Sequence, residues 1–301
     1  MPENEQKFLS DLQSDDADVR FGAWRRAGEM APEVIPQLGK LAASDKPGVA
    51  KAAQEALQTL VHSVGKEEIS PKRAEVVRRL LELAGKGAPV GVRSQALRLL
   101  SLVAGGESAP AVARWLADPE VREEAVFCLE RIPAGAAIKV LTASYREAAE
   151  DFKPRILAAL GHRRAEEALG LVTEAMRSPN REIAMAALKA FGRIGKKSAR
   201  APQYPAVVGL SEWQKIEHLD SLLRYADAQV KQGNHAEAMG VYKTALERPE
   251  EHWQCAAIIG IARMGTAEAA AAIFPKLKSS HRTVRITAGN AWKGMANQTG
   301  G

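Results

Sequence analysis

Apolar and small residues recur along this chain at one fixed spacing. With Val121 as position 0, residues 121–132 place a basic residue at +1, small residues at +4 and +7, and large apolar residues at +8 and +11. At about 100° per residue these core positions share one arc of a helix, so one face is buried while the other meets water. The spacing returns at Val284 (Arg285, Ala288, Ala291, Trp292, Met295), Val49 (Ala53, Ala56, Leu57, Leu60), Val92 (Arg93, Ala96, Leu99, Leu100, Val103) and Ile183 (Ala187, Ala190, Phe191, Ile194). Trp253 with Ala257, Gly260, Ile261 and Met264 fits as well. Phe152 with Ile156, Ala159 and Leu160 fits more loosely, and the copy at Val19 is degenerate, as suits a terminal cap.

The anchors at 19, 49, 92, 121, 152, 183, 253 and 284 are separated by 30, 43, 29, 31, 31, 70 and 31 residues. A period near 31 predicts helical hairpins stacked on their neighbours, an all-α, right-handed α-α superhelix or α-solenoid. Turns rich in proline, aspartate and asparagine punctuate it, among them Ser14, Asp15, Asp16 and Asp18, then Asp45, Pro47 and Gly48, and the run SPNRE at 178–182. The gap of 43 predicts a long connection over 61–72. The gap of 70 exceeds the period by 39, the length of 196–234. That stretch reads as a basic, proline-containing linker (196–210) followed by one long helix from about 211 to 232. The predicted organisation is 1–195 as repeats with an N-terminal cap, the linker, a unit over 211–250, and repeats again over 251–301, in one continuous solenoid.

The segments DPEVREEAVFCLERI (118–132) and SSHRTVRITAGNAWKGM (279–295) resemble the second helix of HEAT-type repeats, including the short bacterial form first described in phycobilin lyases. The resemblance covers nearly the whole chain. It implies fold and says little of function, because such repeats serve as scaffolds for many unrelated partners. The stretch NHAEAMGVYKTALERP (234–249) resembles the second helix of a tetratricopeptide repeat, with Ala238, Tyr242, Ala245 and Leu246 at that family's spacing. Leu222 and Ala226 suit its first helix, but Gln229 stands where an aromatic is usual and Pro249 falls one residue early. A single such unit lacks the neighbouring repeats that build that family's peptide groove.

Composition narrows the picture. Apolar residues make up 46% of the 301 and aromatics only 5%, a balance that favours close-packed helices over sheet. A net charge of +6 biases the chain toward acidic partners without a histone-like excess. Cys128 and Cys255 belong to the anchors at 121 and 253, three apart, which suits reduced packing residues in a reducing, cytoplasmic setting. No signal-peptide pattern opens the chain, and no apolar run reaches the roughly 18 residues of a membrane span.

Candidate chemistry lies on the polar side of the repeating helix. The basic residue at +1 (Arg20, Arg93, Arg122, Lys153, Arg285), near acids such as Asp18, Asp118 and Glu120, predicts a ladder between adjacent turns. A second row, at +10, reads Arg131, His162, Arg193 and Arg263, and the +6 positions add Arg25, Arg98 and Lys189. Apolar residues stand where water is expected: Phe21 and Met185 at +2, Phe127 and Ile259 at +6. The candidate partner-binding set is therefore Arg98, Arg131, His162, Lys189, Arg193, Arg263, Phe127 and Ile259. The partner this surface suits is a protein with an acidic surface, and nucleic acid is the alternative. An ordinary solvated face fits too, since +10 also holds Thr59, Leu102 and Gly294.

Catalytic signatures are sparse. The six histidines are dispersed and none precedes a glutamate, which departs from the His-Glu dyads of the di-iron hydroxylase built on this fold. No GxSxG, phosphate-binding glycine loop or CxxC occurs. The alkylpurine DNA glycosylases use a similar solenoid with an aspartate and tryptophans on a basic face. Here Trp24, Trp115, Trp213, Trp253 and Trp292 are spread along the chain, with the last two at core positions. The expectation is a non-enzymatic scaffold with no catalytic residue, metal or cofactor.

Overall fold

In the computed structural model, residues 2–65, 70–133, 135–199 and 202–299 are described, without the side chains of 297–299. All regular elements among them are helical. The chain divides into two units, 1–148 and 149–301.

The first unit holds α1 (Glu3–Asp11), α2 (Ala17–Arg25), α3 (Ile35–Ala42), α4 (Pro47–Gly65), α5 (Pro71–Leu83), α6 (Val90–Val103), α7 (Ala109–Ala113), α8 (Arg122–Arg131) and α9 (Gly135–Glu147). Hairpins form from α3 with α4, α5 with α6, and α7 with α8, while the second helices α2, α4, α6 and α8 pack in succession. The repeating positions are the core: Ala53, Ala56, Leu57 and Leu60, then Ala96 and Leu100, then Val121, Ala125, Cys128, Leu129 and Ile132 are buried. Asp16 caps α2 by accepting from the amide of Asp18 at 2.8 Å, and Ser70 caps α5 with Pro71 at its first position. The connection expected over 61–72 begins later than the sequence suggested. Val61 and Val64 continue the buried stripe of α4 through to Gly65. Of that connection, 66–69 lie outside the described residues.

The second unit holds α10 (Lys153–His162), α11 (Leu169–Ala175), α12 (Arg181–Ile194), α13 (Glu212–Lys231), α14 (His235–Leu246), α15 (Glu251–Ala262), α16 (Ala267–Ile273) and α17 (Arg282–Thr299). Successive packing runs α10, α12, α13, α15, α17, so the long helix α13 takes a second-helix place directly against α12. The described residues before it, 195–199 and 202–210, are irregular where a first helix would stand. Tyr204 lies 6.2 Å from Phe191, Arg181 Nη1 donates to the Gly209 carbonyl at 2.5 Å, and the His218 ring meets the Pro205 carbonyl at 3.0 Å. Ser211 and Gln214 then close a capping box that starts α13. Helix α14 folds back onto α13 and leads into α15.

Two glycines let this row close up. A Cβ on Gly192 of α12 would stand 2.3 Å from the Ser221 carbonyl oxygen of α13, and one on Gly161 of α10 would stand 2.7 Å from Ala190 Cα of α12. Backbone therefore meets backbone at both crossings.

Candidate binding surface

The +1 row separates into different roles. Arg93 on α6 is 2% exposed and reaches Glu120 Oε2 at 2.8 Å, Asp118 Oδ2, and the Ala84 carbonyl at 3.2 Å. It fastens its hairpin to the turn that opens α8, and its guanidinium holds the Asp118 carboxyl below the ordinary aspartate range. Arg20 instead donates to the Ser14 carbonyl at 2.6 Å, and Arg285 to the carbonyls of Ser279 and Ser280 at 2.6 and 2.8 Å. These two close the turns before their own helices.

The outward rows pair mostly with neighbours. In the first unit Arg98 meets Glu124 of α8 at 3.1 Å, and the Arg131 guanidinium stacks 3.5 Å from the centroid of Phe127. In the second unit Lys189 meets Glu217 of α13 at 2.6 Å, and Arg263 meets Asp227 at 3.5 Å. Exposed pairs of this kind contribute about 0–1 kcal/mol each, so they set direction more than stability. Asp227 also accepts from the Tyr242 hydroxyl at 2.5 Å, and burial together with that carboxylate pushes the Tyr242 phenol well above its ordinary value.

The apolar members of the surface are placed unevenly. Ile259 is 48% exposed and Phe21 49%, with Arg25 5.4 Å over the Phe21 ring, while Phe127 is half-buried beneath Arg131. Met185, expected in water, is buried, because α12 is packed by α10, α13 and the irregular segment together. Trp253 and Trp292, expected in the core, are half-buried. The ring of Trp292 lies 5.4 Å from Phe274, itself exposed. Four apolar residues at and just before the start of α13 face solvent as well. Val207, Val208, Trp213 and Ile216 are all exposed, Val208 at 88% and Trp213 at 67%. The helical period had no bearing on 207–208.

A groove of about 610 Å³ opens where α10, α12 and α13 end. His162 and Arg193, both singled out from the sequence, line it with Arg164, Lys196, Arg224 and Lys231, against the carboxylates of Glu166 and Asp227. Lys196 is paired with Glu166 at 3.4 Å and Arg224 with Asp220 at 2.7 Å. Arg164, Arg193 and Lys231 form no ion pair with any described residue. Arg98, Arg131 and Phe127 belong to the first unit, and Lys189, Ile259 and Arg263 lie outside the groove.

Arg164 carries backbone strain. The amide of Ala165 donates to the Leu160 carbonyl and that of Arg164 to the Gly161 carbonyl, both at 3.0 Å, closing α10 with a Schellman motif. Such a motif needs a left-handed residue, and Arg164 has φ of 49°, the one positive φ outside glycine among the described residues. Glycine fills the like place after α12, α13 and α15, as Gly195, Gly233 and Gly265. A side chain there costs about 1–2 kcal/mol.

Among solved structures, the chain is similar to a karyopherin chain from a structure of Kap95p with RanGDP. Identity is 13%, over 97% of this chain and 43% of that one, with a TM-score of 0.51. A Kap121p mutant matches at 12% identity over 100% of this chain and 41% of that one, with a TM-score of 0.48. The fold is a HEAT-like repeat fold. This HEAT-like chain spans less than half the length of either karyopherin. Human deoxyhypusine hydroxylase in complex with glycerol matches at 14% identity, over 98% of this chain and 96% of that one, with a TM-score of 0.31. No protein-family model matches the sequence, and no curated protein matches it.

Among the described residues, no group of three or more His, Cys, Asp or Glu side chains is placed to hold a metal ion. Cys128 is buried, and burial pushes its thiol up to about 12, far from a reactive thiolate. No described helix is long and apolar enough to cross a membrane.

Proposed function

We propose that this protein is a non-enzymatic scaffold that binds a protein partner with an acidic surface along the outward face of its second helices. The reading rests on one observation: an apolar side chain followed four residues later by a cation, one turn apart on the same face. The pair occurs as Phe21 with Arg25, Phe127 with Arg131, and Ile259 with Arg263, all exposed or half-buried. A partner that alternates acidic and apolar residues meets both halves of each pair. Many weak contacts repeated in this way add up without a single deep pocket. Kap95p, of similar fold, binds the protein RanGDP. We read the hairpins as the short bacterial form of HEAT-like repeat and 211–250 as a tetratricopeptide-like unit, and place the protein in the cytoplasm.

Nucleic acid fits the same face less well. Glu217, Asp220 and Asp227 of α13 pair with Lys189, Arg224 and Arg263, which breaks the basic row where a phosphate backbone would have to cross. The test is affinity capture from native lysate, with and without nuclease, comparing wild type with a Phe127→Ser, Ile259→Ser variant by quantitative mass spectrometry. Proteins enriched on the wild type and depleted at least fivefold on the variant support the scaffold. A captured set that vanishes with nuclease, or that the variant retains in full, overturns it.

A further inference from the structure

We propose that the groove between the ends of α10, α12 and α13 is a site for the carboxylate side chains of an acidic peptide segment, with Arg164 as its principal ligand. The proposal builds on the scaffold reading and names the chemistry of one contact within it. Two observations carry it.

The first is charge. Five cations line the groove against two carboxylates, and Lys196 and Arg224 are already engaged, so Arg164, Arg193 and Lys231 remain to meet a ligand. The second is the strain at Arg164. The Schellman turn is complete from backbone hydrogen bonds alone, the matching turn after α13 uses Gly233, and the left-handed positions after α12 and α15 hold Gly195 and Gly265. A guanidinium held in the left-handed region, with no hydrogen bond or ion pair of its own to a described residue, does nothing for the turn; its one evident consequence is a cation at the mouth of the groove.

The geometry also selects the ligand. Guanidinium groups take carboxylates in paired, charge-assisted hydrogen bonds. Glu166 and Asp227 line the same groove, and Asp220 on α13 holds Arg224. A discrete carboxylate or two enters between those acids, whereas a polyphosphate strand running on from the groove is repelled by them.

The experiment uses the full chain and a fluorescein-labelled peptide of eight glutamates, followed by anisotropy at about 50 mM salt, with an eight-glutamine peptide and an eight-nucleotide single strand of DNA alongside. Arg164→Gly is expected to weaken the glutamate peptide about tenfold and to leave the Tm unchanged or raised by about 2 °C. Arg193→Gln is expected to weaken it similarly, and the glutamine peptide to show no saturable binding. Glutamate-peptide binding equal in wild type and both variants overturns the site; so does a fall of several degrees in the Tm of Arg164→Gly, which would make the side chain a structural prop. Tighter binding of the DNA strand, with the same sensitivity to both variants, overturns the ligand class. Phe127→Ser lies in the other unit and should leave peptide binding intact. The carboxylate site can therefore fail while the scaffold reading, judged by the capture experiment, still stands.

Discussion

Among the described residues, Arg93, His218, Gln229 and Gln254 are buried polar side chains that hold backbone carbonyls, and His218 is the one of these whose charge changes near neutral pH. It is buried on α13, its Nε2 donates to the Pro205 carbonyl, and Arg248 lies near. Burial, with Arg248 adding to it, lowers its pKa below the ordinary 6.5 despite the opposing hydrogen bond. The folded chain then keeps the ring neutral while the unfolded chain takes up a proton, so stability is full above about pH 6.5 and is lost as pH falls toward the folded value. The Tm is expected to drop between pH 7 and pH 5, and His218→Gln, which keeps a donor for Pro205, should flatten that slope. An identical slope in the variant would place the titrating group elsewhere. Neither His218 nor Arg93 announced its burial in the sequence. Arg93 stood in a row of five alike cations, and what separates it from Arg20 is the pair of acids, Asp118 and Glu120, that the turn before α8 brings to it.

At the level of helices, the small positions decide how near the rows approach. Gly192 is the sharpest case, since the space for its Cβ is taken by the Ser221 carbonyl of α13, an atom that moves only with its helix. Gly192→Ala is expected to cost about 1–3 kcal/mol, read as a lowered urea midpoint with an unchanged slope. An unaltered midpoint would mean that α12 and α13 sit farther apart than described. The hairpins were legible because the +4, +7, +8 and +11 positions are filled by packing and must be small or apolar. The ends were not. Val61 and Val64 prolong α4 where polar neighbours suggested a connection, and 66–69 of that connection lie outside the described residues. Position +12 held a readable signal that the core positions hide: Gly195 and Gly265 stand there after α12 and α15, and the same alignment puts Arg164 after α10. A helix period carries no information about φ, so only comparison between repeats exposes the exception.

For the molecule as a whole, the net charge of +6 comes from 42 Lys and Arg against 36 Asp and Glu spread over both units, so no single residue dominates recognition. Arg131 lies in the first unit, stacked on Phe127, and Arg193 in the second, without an ion pair. Neither fills a core position, and each sits near the solvent end of its helix. Reversing the charge at both, Arg131→Glu with Arg193→Glu, is therefore expected to leave the Tm within about 2 °C of wild type, because partly exposed contacts of this kind are worth about 0–1 kcal/mol. Binding should respond differently. A partner that engages both units gains the second contact as an intramolecular event, so the losses multiply: about three- to tenfold for each reversal and about ten- to a hundredfold for the two together. The measurement is the Kd of the captured partner for the two single variants and the double, with thermal melts of all three. A double variant no weaker than the poorer single one would confine the partner to one unit. A Tm lowered by many degrees would assign these arginines to the fastening between neighbouring helices, where Arg93 already serves, and remove them from the docking face.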